Sequence, residues 1–200
     1  PVLNALGGYS LQQKNSFMLD SLGKKMFPEW LNIWDRPVSV GETGSRLFDS
    51  EGVATAEMPI VENGVVKEYF VNTYMSRKMG VEATVEDATR PVVLPCFAPS
   101  VAEPVEATCG KEGLMRIVGE GILVTGFNGG NSNSATGDFS FGVEGFLFKD
   151  GKIVHPVREM LITGNLLTLW NNLLAAGNDA RFCKSKLIPT LAFGNVDFSA

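Results

Sequence analysis

Histidine is almost missing from this 200-residue sequence: His155 stands alone, beside three cysteines, Cys96, Cys109 and Cys183. A zinc hydrolase needs about three protein ligands and an open position for water. No second ligand lies at useful spacing from His155, which therefore reads as a strand or surface histidine rather than as a ligand or base. Ser45 and Ser140 have no histidine placed by a triad pattern, so a serine hydrolase is poorly supported. Three cysteines at wide spacings make a poor disulfide framework and fit reduced thiols. Long apolar runs are missing too. No stretch approaches the ~18 to 20 residues of a membrane helix, and the N-terminus lacks the charged, apolar and cleavage-site order of a signal peptide. The expectation is a soluble cytoplasmic chain with no membrane partner. Basic charge is also scarce: 17 Lys and Arg against 22 Asp and Glu give a net charge of −5. Phosphate contacts need clustered cations. Lys24-Lys25 and Arg77-Lys78 read as solvated faces, so no direct nucleic-acid contact is expected. Gly129-Gly130 and Gly119-Glu120-Gly121 lack the P-loop lysine and the dinucleotide spacing.

What is present is globular composition, 44% hydrophobic and 20% charged. A domain of this size buries roughly 70% of its unfolded surface and folds without a disulfide or metal. The 22 glycines lie between short apolar or alternating runs, the pattern of many strands and turns.

Along the chain, Val2 to Leu6 is a short apolar stretch ended by Gly7-Gly8, and residues 16–27 are ambiguous between strand and helix before Pro28. Trp30 to Trp34 reads as a strand, followed by a glycine-rich loop from Arg36 to Gly52. Glu62-Asn63-Gly64 predicts a hairpin turn between strands over 53–61 and 65–71. Thr73 to Met79 reads as a helix closed by Gly80. Residues 81–109 read as a polar, proline-bearing connection with an extended piece at 91–95. A helix is predicted over 111–118 and a buried strand over 121–127, then a loop over 128–137 whose Asn, Gly, Ser and Thr cannot pack a core. Strands over 139–148 and 153–162 flank an Asp150-Gly151 turn. The spacing of Leu166, Leu169, Trp170, Leu173 and Leu174 predicts a helix over 165–176 ending at Gly177, and the chain closes with strands over 186–193 and 196–198. The fold class is mainly β to α+β: an antiparallel, barrel-like sheet domain with two or three packed helices.

The segment Thr136-Gly137-Asp138-Phe139-Ser140-Phe141-Gly142 carries a resemblance. It is followed by Gly145-Phe146, Gly151, Pro156-Val157, Ile162-Thr163-Gly164-Asn165-Leu166 and Gly177-Asn178-Asp179. Upstream stand Phe17-Met18-Leu19-Asp20-Ser21-Leu22-Gly23, Gly44-Ser45-Arg46 with Phe48-Asp49 and Glu51-Gly52-Val53, and Arg77-Lys78-Met79-Gly80. In this order the chain resembles the C-terminal domain of the TldD/PmbA family of zinc-dependent peptidases, also labelled modulators of DNA gyrase, across nearly all its length. Each motif is weak alone; six in order are specific.

The resemblance implies one C-terminal domain over residues 1–200, with the family's N-terminal domain absent from the sequence. The TldD branch is similar to other zinc peptidases in using a His-Glu-x-x-x-Asp-His motif, which lies in that other domain, and a cysteine near the end of this one. No His-Glu pair stands here. Cys109-Gly110-Lys111-Glu112-Gly113 resembles the cysteine segment but precedes Gly177-Asn178-Asp179 instead of following it. Cys183 follows that motif without the right context and is read as a structural thiol. The ending resembles the PmbA, or TldE-like, branch. Asp49, Glu51 and Asp138 are read as backbone-bonding carboxylates rather than an acid and base. The implied function is a non-catalytic subunit of a TldD/TldE-type peptidase assembly, with no cofactor in this chain and zinc held by a partner or the other domain. Its implied partners are a TldD-like subunit or a second copy, and an extended peptide. The peptide is expected along 138–145 or 121–127, with Asp138, Ser140 and Gly142 as the contact residues, by addition to a strand edge. The alternatives are half of an active zinc metallopeptidase and a structural dimerisation domain.

Overall fold

In the computed structural model, which describes residues 1–101 and 109–199, the chain divides into two units interleaved along the sequence. Unit 1 holds Pro1–Leu94, Ser134–Thr136 and Arg181–Ile188; unit 2 holds the rest.

Unit 1 begins with two short helices, α1 (Val2–Ala5) and α2 (Gly8–Gln12), where the sequence shows only an apolar stretch closed by glycines. Gly8 opens α2 rather than ending a segment, because its missing side chain lets the backbone approach Phe70, whose carbonyl accepts the Gly8 N–H at 2.7 Å. Strands β1 (Ile33–Asp35), β2 (Met58–Glu62) and β3 (Val65–Val66), the helix α3 (Thr73–Met79) and the strand β4 (Pro91–Val93) follow. The strands pair antiparallel in the order β3-β2-β1-β4. Asn63 and Gly64, at φ 51° and 75°, make the predicted turn between β2 and β3. A Cβ on Gly64 would lie on the carbonyls of Phe27 and Pro28. The helix α3 also matches its prediction: the Asn72 side chain caps Met75 N–H at 2.9 Å, and Gly80 ends the helix in the left-handed region at φ 69°.

Residues 16–27 form neither helix nor strand but successive turns. Side chains fix them: the Tyr69 hydroxyl accepts from Ser21 N–H at 2.8 Å and Leu22 N–H at 3.1 Å and donates to the Met18 carbonyl at 2.9 Å. Met18 and Phe27 of this segment are buried, as are Leu31, Ile60, Val61 and Val66.

Unit 2 comprises β5 (Cys96–Phe97), α4 (Lys111–Val118), β6 (Glu120–Ser132), β7 (Asp138–Lys149), β8 (Lys152–Asn165), α5 (Leu166–Asn171), β9 (Leu173–Ala176), β10 (Leu191–Phe193) and β11 (Asp197–Ser199). They build two antiparallel sheets, β10-β9-β5 and β11-β8-β7-β6. The helix α4 and the Asp150-Gly151 turn, at φ 50° and 73°, match the sequence reading.

Two expectations fail here for physical reasons. The loop predicted over 128–137 is shorter, because β6 continues to Ser132. Gly129 and Gly130 take φ 77° and 114°, and the ladder absorbs the irregularity as a register shift between Phe127 and Gly130. The helix predicted over 165–176 stops at Asn171, and Leu173–Ala176 is a strand. Its continuous apolar run suits the middle strand of β10-β9-β5, where Leu173, Ala175 and Ala176 are buried; tertiary pairing overrides helical spacing.

The fold is mainly β, of α+β class. It has five short helices where two or three are expected, and no sheet closes into a barrel among the described residues. Part of the connection expected over 81–109 lies outside them, at 102–108. No described helix is long and apolar enough to cross a membrane.

Candidate functional site

The strand β7 carries the three residues expected to contact peptide. Asp138, at its start, accepts a hydrogen bond from Asn165 Nδ2 at 2.9 Å. The Asn165 amide oxygen in turn accepts Leu167 N–H at 3.0 Å, capping α5. Asp138 thus orients the cap of a helix. Ser140 lies in register between Asn131 of β6 and Thr163 of β8. Gly142 pairs with Leu161, and a Cβ there would come 2.6 Å from the Asn128 carbonyl, so glycine permits the close approach of β6.

Because β7 lies between β6 and β8, both its backbone edges are already paired. It cannot accept an added strand, and its residues would meet a ligand only through a face of the sheet. Within this sheet two edges are open among the described residues: the outer side of β6, and β8 from Lys152 to Met160, since β11 pairs only with Leu161–Thr163. Pro156, which has no N–H, interrupts the β8 edge, and Glu159 takes φ 59°. β6 is bulged from Val124 to Gly130 but regular from Glu120 to Val124, opposite Lys149 to Gly145. That regular run holds most of the second expected segment, 121–127. It depends on Gly145, where a Cβ would fall onto the Leu123 carbonyl.

The carboxylates of Asp49 and Glu51 are spent on backbone amides. Asp49 accepts from Glu51, Val53 and Glu86 N–H at 2.9–3.2 Å. Glu51 accepts Thr73 N–H at 2.8 Å, at the start of α3. Two further clasps escape sequence reasoning. Buried Asp35 accepts Arg90 N–H at 2.6 Å and Thr89 N–H at 2.9 Å. Burial pushes its carboxyl above the ordinary value, against those two bonds. Asp179 accepts Lys111 N–H at 3.0 Å, Thr190 N–H at 2.8 Å and Thr190 Oγ1–H at 2.7 Å. Its partial burial pushes the carboxyl up, but these bonds prevail and hold it below its usual value. Asp179 sits in the Gly-Asn-Asp motif, so a signal was present without its partner.

The cysteines separate by environment. Cys109 is buried with Leu114 and Ala175, and its carbonyl accepts Asn178 N–H at 3.0 Å. The segment it opens therefore starts α4. Burial raises its thiol pKa, with Asp179 adding to the effect, and burial raises that of Cys96 as well. Cys183, read from the sequence as a structural thiol, is exposed. His155 is exposed on β8 with Nδ1 3.0 Å from the Pro156 carbonyl. No three His, Cys, Asp or Glu side chains gather into a metal-holding group among the described residues.

All 200 residues match the family profile of the PmbA/TldA metallopeptidase C-terminal domain. The metalloprotease PmbA homologue of Haemophilus influenzae is 38% identical over 175 residues, covering 88% of this chain and 37% of its own length. A Bacteroides thetaiotaomicron crystal structure, of a protein named for modulation of DNA gyrase, superposes with a TM-score of 0.89 at 47% identity, covering 98% of this chain and 43% of that one. TldE of Thermococcus kodakarensis shares the fold at a TM-score of 0.83 and 22% identity, covering 100% of this chain and 46% of that one. The chain spans well under half the length of the curated relatives it matches.

Proposed function

Because this chain belongs to the PmbA/TldA metallopeptidase family as its C-terminal domain, we propose that it serves a PmbA/TldE-type subunit that holds extended peptide while a TldD-type partner supplies the zinc chemistry. The observation that carries this reading is the setting of Cys183, the one ligand this domain would be expected to supply: it is exposed, and no group of metal-holding side chains gathers there among the described residues. Zinc takes about four ligands, three of them from protein in a hydrolytic site. Here the lone histidine points to its own neighbour's carbonyl, Cys109 is buried and Cys96 half-buried, and the carboxylates of Asp35, Asp49 and Asp179 are bonded to amides. The described residues do not fit a zinc site.

What the chain's own residues do is positional. An extended peptide placed against Glu120–Val124 extends the β6 edge by backbone hydrogen bonds, which read no sequence and suit varied substrates. Ile122 and Val124 lie on one face of that edge and Leu123 on the other, by the period of a strand.

The test is zinc content of the full-length parent, purified alone and with a TldD-type subunit. Zinc near zero alone and about one per pair together is the expected result. Stoichiometric zinc on the parent alone overturns the reading in favour of an active peptidase half. A stable pair of identical chains with no peptide protection of the Glu120–Val124 amides favours a dimerisation domain.

A further inference from the structure

Arg90 is a charged side chain at only 3% exposure, and neither its Nε nor its Nη2 has a hydrogen-bond partner. Among the described residues its one ion-pair partner is Glu42, whose carboxylate meets Nη2. Glu42 belongs to the glycine-rich loop between β1 and β2, in a stretch from Val38 to Ser45 that folds back on itself. Gly41 and Gly44 take φ 78° and 87°, Glu42 N–H donates to the Ser39 carbonyl at 3.2 Å, and Ser39 N–H donates to Ser45 Oγ at 2.9 Å. These bonds are all internal. The stretch is closed at its base by Arg46 N–H on the Pro37 carbonyl at 2.8 Å. Beyond that base the chain is firmly tied, by Arg36 N–H on the Arg90 carbonyl and by the Asp49 carboxylate. Among the described residues, the only polar tie from Val38–Ser45 to the rest of unit 1 is the Glu42–Arg90 pair.

We infer that Val38–Ser45 is a strap latched by Glu42 on Arg90, and that breaking this one pair frees the strap while the β3-β2-β1-β4 sheet stays folded. The physical argument is an asymmetry. A surface ion pair holds almost nothing, but removing the partner of a buried charge leaves an uncompensated cation, which must find water. Because Glu42 belongs to the strap, the inferred path for that water is past Glu42 and requires the strap to lift. The latch is therefore all-or-none: strap down with the guanidinium covered, or strap up with it wet. The strap also carries Val40, which is 99% exposed, so latching fixes where an apolar side chain is presented.

The experiment is arginine modification by phenylglyoxal on the 200-residue chain, followed at Arg90 by peptide mapping, with hydrogen exchange over 38–45 and over the strands at 58–62 and 91–93. In Glu42→Gln, Arg90 is expected to react about tenfold faster and the strap to exchange faster, with both strands unchanged. Unchanged Arg90 reactivity in a folded Glu42→Gln chain overturns the latch. If Glu42→Gln raises exchange in the strands themselves, the double variant Glu42→Gln/Arg90→Met decides, since it leaves no buried charge unpaired. Strap and strands protected as in the parent then support the latch, because no cation seeks water, and a strap still as loose as in Glu42→Gln overturns it.

Discussion

Asp179 closes the start of α4 from 68 residues away, its Oδ2 accepting the Lys111 N–H at 3.0 Å. The same carboxylate holds Thr190 by two bonds, so one side chain ties a helix to the strand-bearing tail of unit 2. Gly110 makes the close approach easy, with its Cβ position 3.4 Å from the Asp179 Cβ.

Asp179→Ala is expected to destabilise the chain by about 1–2 kcal/mol, the range of a lost cap with a further bond. Urea unfolding at neutral pH measures it. The folded carboxyl sits below its unfolded value of 3.8, so the contribution is present above 3.8 and lost as pH falls through the lower folded value. Parent and variant should therefore converge in acid. A difference that persists there would assign the effect to packing.

Gly145→Ala is expected to cost about 2–4 kcal/mol, because the added methyl falls onto the Leu123 carbonyl and pushes β6 from β7. Hydrogen exchange over 120–124 should rise with the loss. Protection unchanged from the parent would show that the ladder accommodates the methyl.

Tyr69→Phe removes the hydroxyl that holds Met18, Ser21 and Leu22. Two amides lose their acceptor, a cost of about 1–3 kcal/mol. Loss of order in residues 16–27, seen by exchange, is the local signature. A variant as stable as the parent would show that water replaces the hydroxyl.

Thiol titration should rank the cysteines by access: Cys183 first in the folded chain, Cys109 only on unfolding. Mass mapping after brief exposure to a maleimide checks the order. Early labelling of Cys109 would mean that α4 opens readily.

The sequence showed its turns best. Asn63-Gly64, Asp150-Gly151 and the Thr73–Met79 helix closed by Gly80 are set by residues a few positions apart, and all three stand as expected. Leu173–Ala176 misled because its apolar spacing fits a helix face and a buried strand alike, and the choice rests on β10 and β5, distant in sequence. The site was legible as motifs, not as contacts. Gly177-Asn178-Asp179 was visible as a unit, yet its work on Lys111 and Thr190 depends on chain 68 residues upstream and 11 downstream. Asp35 and Arg90 lie 55 residues apart and share no local pattern, so no window of sequence could join them.

Unit 1 is threaded, not contiguous. Its last piece, Arg181–Ile188, reaches it only after β6, β7, β8 and β9 have been made, and there Leu187 N–H donates to the Pro91 carbonyl at 2.8 Å beside β4. A ribosome releasing this chain therefore delivers the start of unit 1 long before its final segment. A nascent chain stalled at Leu94 would carry β4 without its bridge to Leu187. Unit 1 completes late even though most of it is synthesised first, and a gene fragment ending at β4 would encode an unfinished body rather than a smaller domain.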